Sequence, residues 1–173
     1  PAGDCDCDGN QLDALNVCGG SCAADDNANG ICDIEEAGCT DSSASNFDSA
    51  AFSDDGSCVF AVTFNVDMNC EDPASFTTPA VESPNFGWCG GCAPMADADM
   101  DGVWTVVLDL PLGNFEYKYS VDNFAGQENL VDDMQNGGTC APITDFSGYA
   151  NREIAVAAGA EANDTYGSCG PCV

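Results

Sequence analysis

Histidine is absent from the 173 residues, and Lys118 and Arg152 are the only basic side chains beside 30 acidic ones, for a formal net charge of −28. Without histidine, the imidazole that serves most often as general base is missing, and so is the Cys2His2 type of zinc finger. Four-cysteine zinc stays open on counting alone. A surface this acidic repels phosphate backbones and anionic headgroups, which excludes nucleic acid and membrane insertion from its business. No apolar run reaches the roughly 20 residues of a membrane-spanning helix. No stretch sustains helical periodicity over a dozen residues, and neither a G-x-S-x-G elbow nor a phosphate-cradling glycine loop occurs. No pair stands out among the 30 carboxylates as a glycosidase pair, and the chain reads as a non-enzyme.

What the chain has instead is cysteine: 13 of them, which without histidine point to disulfides in an oxidising compartment, extracellular or on a cell surface. The odd count leaves one thiol over. The chain starts at Pro1 without a signal peptide and reads as a piece of a longer secreted or surface protein, with the odd cysteine pairing outside it. Among Cys5, Cys7, Cys18, Cys22 and Cys32, the expected unpaired residue is Cys5, nearest the start. Cys39 and Cys58 bracket a loop whose closure contributes about 3 kcal/mol by the chain-entropy argument. Cys70, Cys89, Cys92, Cys140, Cys169 and Cys172 allow three bridges in any of fifteen connectivities. Two C-x-x-C spacings, WCGGC and SCGPC, read as structural bridges, because no flanking βαβ unit supports redox chemistry.

The run DDNANGICDIEE over 25–36 satisfies D-x-[DN]-x-[DN]-G-x5-E at each specified position. Asp25, Asn27 and Asn29 supply oxygens at loop positions one, three and five, and Gly30 permits the turn at six. Ile31 offers its carbonyl, Asp33 ligates directly or through water, and Glu36 closes the shell with two oxygens. This is a calcium pattern, since a hard cation takes an all-oxygen shell. Asp4, Asp6 and Asp8 before Gly9 repeat its first half, with Leu15 where the closing acid belongs and Asp13 as a substitute. Asp97, Asp99 and Asp101 before Gly102 repeat it again; position twelve is Leu108, so ligands from another loop are needed there. Asp41, Asp48, Asp54 and Asp55 form a weaker candidate group.

Residues 1–37 have almost no large apolar side chains, so ions and disulfides must hold them. Residues 38–60 form a short cysteine-bracketed acidic repeat, with Phe47 and Phe52 as a tiny core. From Ala61 the texture changes. Val62, Phe64 and Val66 share one face of a strand; Val103 to Leu110 is apolar on both faces and reads as a central buried strand. Phe115, Tyr117, Tyr119 and Val121 face in, while Asn114, Glu116, Lys118 and Ser120 face out, with a turn at 111–113 between the two strands. Shorter strands are expected at Ala80–Ser83 and Glu153–Ala157. The fold class is therefore mainly β: an antiparallel β-sandwich, immunoglobulin-like, over 61–173, preceded by irregular repeats.

Two stretches carry resemblances. CDCDGNQLDALNVCGG followed by SCAADDNANGICD resembles the thrombospondin type 3-like calcium repeats of secreted Bacteroidota surface proteins, which implies stacked, extended stalks. NFGWCGGCAPMADADMDGVWTVVLDLPLGNFEYKYSVDNF resembles the early-set sandwich domains of such proteins and, more remotely, the family 48 carbohydrate-binding modules. The second resemblance implies that Trp88, Lys118, Phe124 and Asn151 contact glucan. The residues by themselves read Trp88 and Trp104 as core or loop-supporting side chains, because Cys89 ties the loop down beside Trp88.

The expected function is thus a structural and adhesive segment of an extracellular protein, made rigid by calcium and disulfides and suited to filament contacts with neighbouring copies or other surface proteins. The alternative is a polysaccharide-binding module. A bound ion at 100 times its dissociation constant adds about 2.7 kcal/mol, so a few such sites rival the ~5–15 kcal/mol of an ordinary domain. Calcium removal is expected to loosen the amino-terminal third before the sandwich. Limited proteolysis in chelator checks this: the first cuts should fall before Ala61, and first cuts after it would show that the ions were assigned to the wrong segment.

Overall fold

In the computed structural model, which describes residues 4–172, the chain divides into two compact units that adjoin in sequence at Val59 and Phe60. The first unit is built from turns. Its regular pieces among the described residues are a 3-10 turn at Asp33–Glu36 and a parallel pair, β1 (Ala37–Gly38) with β2 (Ser53–Asp54). The expected boundary between 37 and 38 falls inside β1. Short-range carboxylate bonds replace a core: Asp41 accepts from the Ser43 N–H, Asp48 from Ala50, Asp54 from Gly56 and Asp55 from Ser57. Each is an aspartate folding its own turn, so these four do not gather as one group. Phe47 and Phe52 are 43% and 45% exposed rather than forming a small core; Cys32, Cys39 and Ala44 are the buried apolar side chains. Hydroxyl and amide bonds to aspartate set these turns, leaving the rings no interior to enter.

Disulfides Cys5–Cys18, Cys22–Cys32 and Cys39–Cys58 staple the unit. The free thiol is therefore Cys7, which is exposed, and not Cys5. The reason lies in the turn. Asp6 accepts from the Asp8 and Asn10 N–H groups and the Cys5 N–H donates to the Asn10 carbonyl at 2.7 Å, a fold that sets Cys5 against Cys18 and leaves Cys7 outside.

The second unit is a two-sheet sandwich. Its strands are β3 (Val59–Asp67), β4 (Pro79–Glu82), β5 (Ala93–Pro94), β6 (Val103–Pro111), β7 (Gly113–Val121), β8 (Gly126–Gln127), β9 (Ile143–Asp145), β10 (Tyr149–Val156) and β11 (Glu161–Thr165). One short helix, α1 (Val131–Gln135), interrupts them. The larger sheet runs β5-β4-β7-β10-β9, with β8 also paired to β7; the smaller runs β11-β3-β6. Pairing in the larger sheet is antiparallel, whereas β11 lies parallel to β3, from Glu161 opposite Thr63 to Thr165 opposite Asp67.

Period-two alternation explains β3, whose Phe60, Val62, Phe64 and Val66 are all buried. Across the sandwich, the Phe64 ring meets Phe115 and Tyr117 of β7 at centroid distances of 5.8 and 4.9 Å. One expectation changes. β6 is an edge strand and Val107 is exposed, so the central strand of its sheet is β3; apolar residues on both faces did not mean cover on both faces. On β7, Lys118 and Ser120 point away from the inter-sheet core but are buried all the same, because loops fold over the outer face.

The core also holds charge. Arg152, 1% exposed on β10, donates to Glu128 at 2.9 Å and to Asp164 of β11 at 2.8 Å, and to the Thr165 and Ser168 carbonyls. The Tyr117 and Tyr119 hydroxyls both donate to the second oxygen of Asp164 at 2.9 Å. Glu128 accepts the Tyr119 N–H as well. Burial alone disfavours the guanidinium, but the Glu128 charge and hydrogen bonds, with Asp164, hold its pKa above the usual arginine value. Burial first, and then the Asp164 charge, push both phenols up. Disulfides Cys70–Cys172, Cys89–Cys92 and Cys140–Cys169 complete the unit.

Two outcomes follow. Arg152→Met leaves the buried Glu128 and the partly buried Asp164 without their cation and is expected to cost about 3–5 kcal/mol, read as a lowered urea midpoint. Alkylation of the folded, unreduced chain should add one label, at Cys7; a label at Cys5 or Cys18 would contradict their pairing.

Candidate functional site

The outer face of the larger sheet carries a cleft of about 530 Å³ lined by Pro84, Trp88, Glu116, Lys118, Phe124, Gln127, Tyr149 and Asn151. This volume lies within the ~300–1,000 Å³ of ordinary ligand pockets. All four residues singled out for glucan contact, Trp88, Lys118, Phe124 and Asn151, line this one cleft. The floor follows from strand geometry: alternate β7 residues Glu116 and Lys118 share a face, and β10 runs beside β7, with Arg152 opposite Tyr117 on the inner side. Asn151, one residue from Arg152, therefore faces outward toward the cleft.

The walls are turns. Between β4 and β5 the Ser83 hydroxyl caps a 3-10 turn at Pro84–Phe86, Gly87 takes a left-handed conformation, and the Trp88 N–H returns to the Ser83 carbonyl at 3.0 Å. Trp88 is thereby placed at the cleft, 36% exposed. Opposite it, Asp122, Asn123 and Phe124 have φ of 51°, 58° and 66°, and Trp88 itself has 52°; the other non-glycine residues with positive φ are Asn16, Ala28 and Met100. Backbone strain thus concentrates where the aromatic walls are set. Asp122 holds its turn by accepting from the Thr77 and Thr78 N–H groups.

Two polar groups in the cleft lack internal partners. Asn151 is 4% exposed and donates from Nδ2 to Glu116 at 2.7 Å, while its buried Oδ1 accepts nothing among the described residues. Glu116 only accepts, so the amide must turn its NH2 toward it and its oxygen away. Lys118, 8% exposed, makes no hydrogen bond or ion pair among the described residues. Burial lowers its pKa, and the Glu128 charge opposes that shift. The cleft therefore offers a cationic donor and aromatic side chains, while the Asn151 oxygen is sealed from solvent.

The acidic loops differ among themselves. In the 25–36 loop, Asp25 accepts from the Asn29 and Gly30 N–H groups at 3.0 and 3.1 Å. The two oxygens of Glu36 meet the side-chain amides of Asn29 and Asn27 at 2.8 and 3.1 Å. Motif positions three, five and twelve are thus folded onto one another, but through amide N–H groups: Asn27 Oδ1 and Asn29 Oδ1 accept backbone N–H groups, and the acids of this loop do not gather as a carboxylate cluster among the described residues. Ile31 donates its N–H to Asn29 Oδ1, and Asp33 accepts from the Asp26 N–H. Asp97, Asp99 and Asp101 bring carboxylate oxygens within 4.8 Å of one another, beside Asn69 of a neighbouring loop, whose amide donates to the Asp101 carbonyl.

Asp4, Asp6 and Asp8 do not form such a group among the described residues. Asp6 is engaged by the Asn10 side chain, which with the Asn10 N–H lowers its pKa. Asp13, the expected substitute ligand, instead accepts from the Leu15, Val17 and Cys22 N–H groups, and the Val17 bond chiefly lowers its pKa.

Four cleft residues went unread in the sequence: Pro84, Glu116, Gln127 and Tyr149. Only Glu116 left a signal, through the alternation that places it beside Lys118. No protein-family model and no curated protein matches the chain. No helix among the described residues is long and apolar enough to cross a membrane.

Proposed function

We propose that the chain is a non-catalytic extracellular segment whose sandwich binds a neutral, glucan-like polysaccharide in the outer-face cleft, and whose first unit is a spacer held by disulfides and calcium. The observation that carries the reading is the gathering, in one aromatic-walled cleft, of Trp88, Phe124 and Tyr149 around the Lys118 ammonium, which has no hydrogen-bond or ion-pair partner among the described residues. An ammonium only donates, so such a group is met by a ligand oxygen. A sugar hydroxyl accepts from Lys118 while C–H faces lie against the aromatic side chains. The net charge of −28 disfavours polyanionic glycans.

Glu116 is the one carboxylate lining the cleft and is committed to Asn151. Glycoside hydrolysis ordinarily asks for two carboxyl groups about 5–9.5 Å apart, which supports binding without turnover. For the first unit, the D-x-[DN]-x-[DN]-G-x5-E spacing from Asp25 to Glu36 is what supports calcium held in that loop. Six disulfides suit a cell-surface or secreted setting. A rigid spacer bearing a glycan cleft is an adhesive device, so the structural and the binding readings apply to different units of one chain.

Affinity electrophoresis through gels containing soluble glucans tests the cleft. Retardation of the native chain is expected, with Trp88→Ala or Lys118→Ala costing about 2 kcal/mol, or roughly 30-fold in affinity. Equal mobility of native and variant chains in every glucan gel would refute the reading.

A further inference from the structure

Glu82, at the end of β4, is completely buried. It stands opposite Lys118 in the β4–β7 register, yet forms no ion pair with it. Lys118 lines the cleft instead. The Glu82 carboxylate is satisfied by the loop that carries Trp88: Oε2 accepts the Gly90 N–H at 3.1 Å, and Oε1 accepts the Gly91 N–H at 2.5 Å and the Ser120 hydroxyl at 2.9 Å.

The disulfide Cys89–Cys92 closes this loop on itself, spanning three positions, but places no constraint on where the loop sits over the sheet. Glu82 supplies that constraint, because its donors come from the loop tip on one side and from β7 on the other. The glycines make the approach possible. A Cβ on Gly91 would stand 2.4 Å from Asn123 Oδ1, and one on Gly90 would stand 3.1 Å from the Phe124 ring; both residues have positive φ. The Glu82 grip therefore also presses the Trp88 loop against the turn bearing Phe124.

We propose that Glu82 is the positioning residue of the cleft, fixing Trp88 over the outer face of β7 through the Gly90 and Gly91 amides. That the fixed cleft then receives a glucan rests on the function proposed above. A carboxylate accepts at both oxygens, whereas a glutamine amide must present N–H to one of these two backbone donors. Glu82→Gln therefore keeps the shape and breaks the grip.

The test combines a ligand-free and a ligand-dependent measurement. In the native chain, hydrogen exchange at Gly90 and Gly91 should be as slow as at the sheet-paired Ala80 and Val81. In Glu82→Gln it should quicken by about 10–100-fold while Ala80 and Val81 stay protected. In a Trp104→Phe background, where Trp88 is the only tryptophan, acrylamide quenching of its emission should rise at least twofold on adding Glu82→Gln. The dissociation constant for maltoheptaose should rise about tenfold at a temperature where both chains are fully folded.

Rapid exchange at Gly90 and Gly91 in the native chain would overturn the proposal, a result that does not depend on the variant folding. Unchanged Trp88 quenching in a folded Glu82→Gln would overturn it too. A loosened loop in Glu82→Gln, with no maltoheptaose binding by the native chain, would leave the Glu82 assignment standing and remove the glucan reading.

Discussion

The sandwich depends on one shared cation. Arg152 sits between the sheets with its guanidinium divided between Glu128 and Asp164, and Asp164 is completed by two tyrosine hydroxyls. In a chain with 30 acidic side chains, taking Glu128 and much of Asp164 out of water is costly, and a single arginine makes it feasible with the help of the hydrogen bonds around it. The same contacts decide topology. Asp164 and Thr165 belong to β11, a strand of polar sequence with little β-propensity; Arg152 bonds to both while β3 pairs with them in parallel register. Coulombic attraction does for β11 what hydrophobic patterning does for β3.

That division explains what could be read from the sequence. β3, β7 and the turn between β6 and β7 were legible because burial writes itself as alternation. β11 was not, since its reason for being a strand lies in a residue ten or more positions away on another strand. The outer face of β7 was read only in part for a related reason: alternation tells which side chains oppose the core, but not which loops return to cover them. Lys118 and Ser120 are buried by the 84–92 and 122–127 segments, whose paths are set by Ser83, Glu82 and Asp122 rather than by any periodicity. β6 was placed centrally on its apolar content, yet it is an edge. Nearness to the start of the sequence pointed to Cys5 as the unpaired thiol, whereas the Asp6–Asn10 turn sets it against Cys18 and leaves Cys7 free.

The candidate site shows the same mixture. Its motif positions Trp88, Lys118, Phe124 and Asn151 come from three separate stretches, and the fold gathers them into a single cleft. The side chains that complete the cleft, Gln127 and Tyr149 among them, carried no local mark. Acidic loops were easy to find and hard to rank. The spacing D-x-D-x-D-G predicts nearness of carboxylates at 97–101, whereas in Asp4-Cys5-Asp6-Cys7-Asp8 the local turn uses Asp6 for itself.

The bridge from Cys70 to Cys172 encloses 102 residues of sequence separation, from the end of β3 past β11. Tension applied between Cys70 and Cys172 passes through sulfur instead of through the chain between them. Stretched out, that enclosed length would reach about 350 Å at ~3.4 Å per residue, and none of it is released while the bond lasts. β3, which precedes Cys70, lies outside that closure and is held by its ladder to β11 alone on that side.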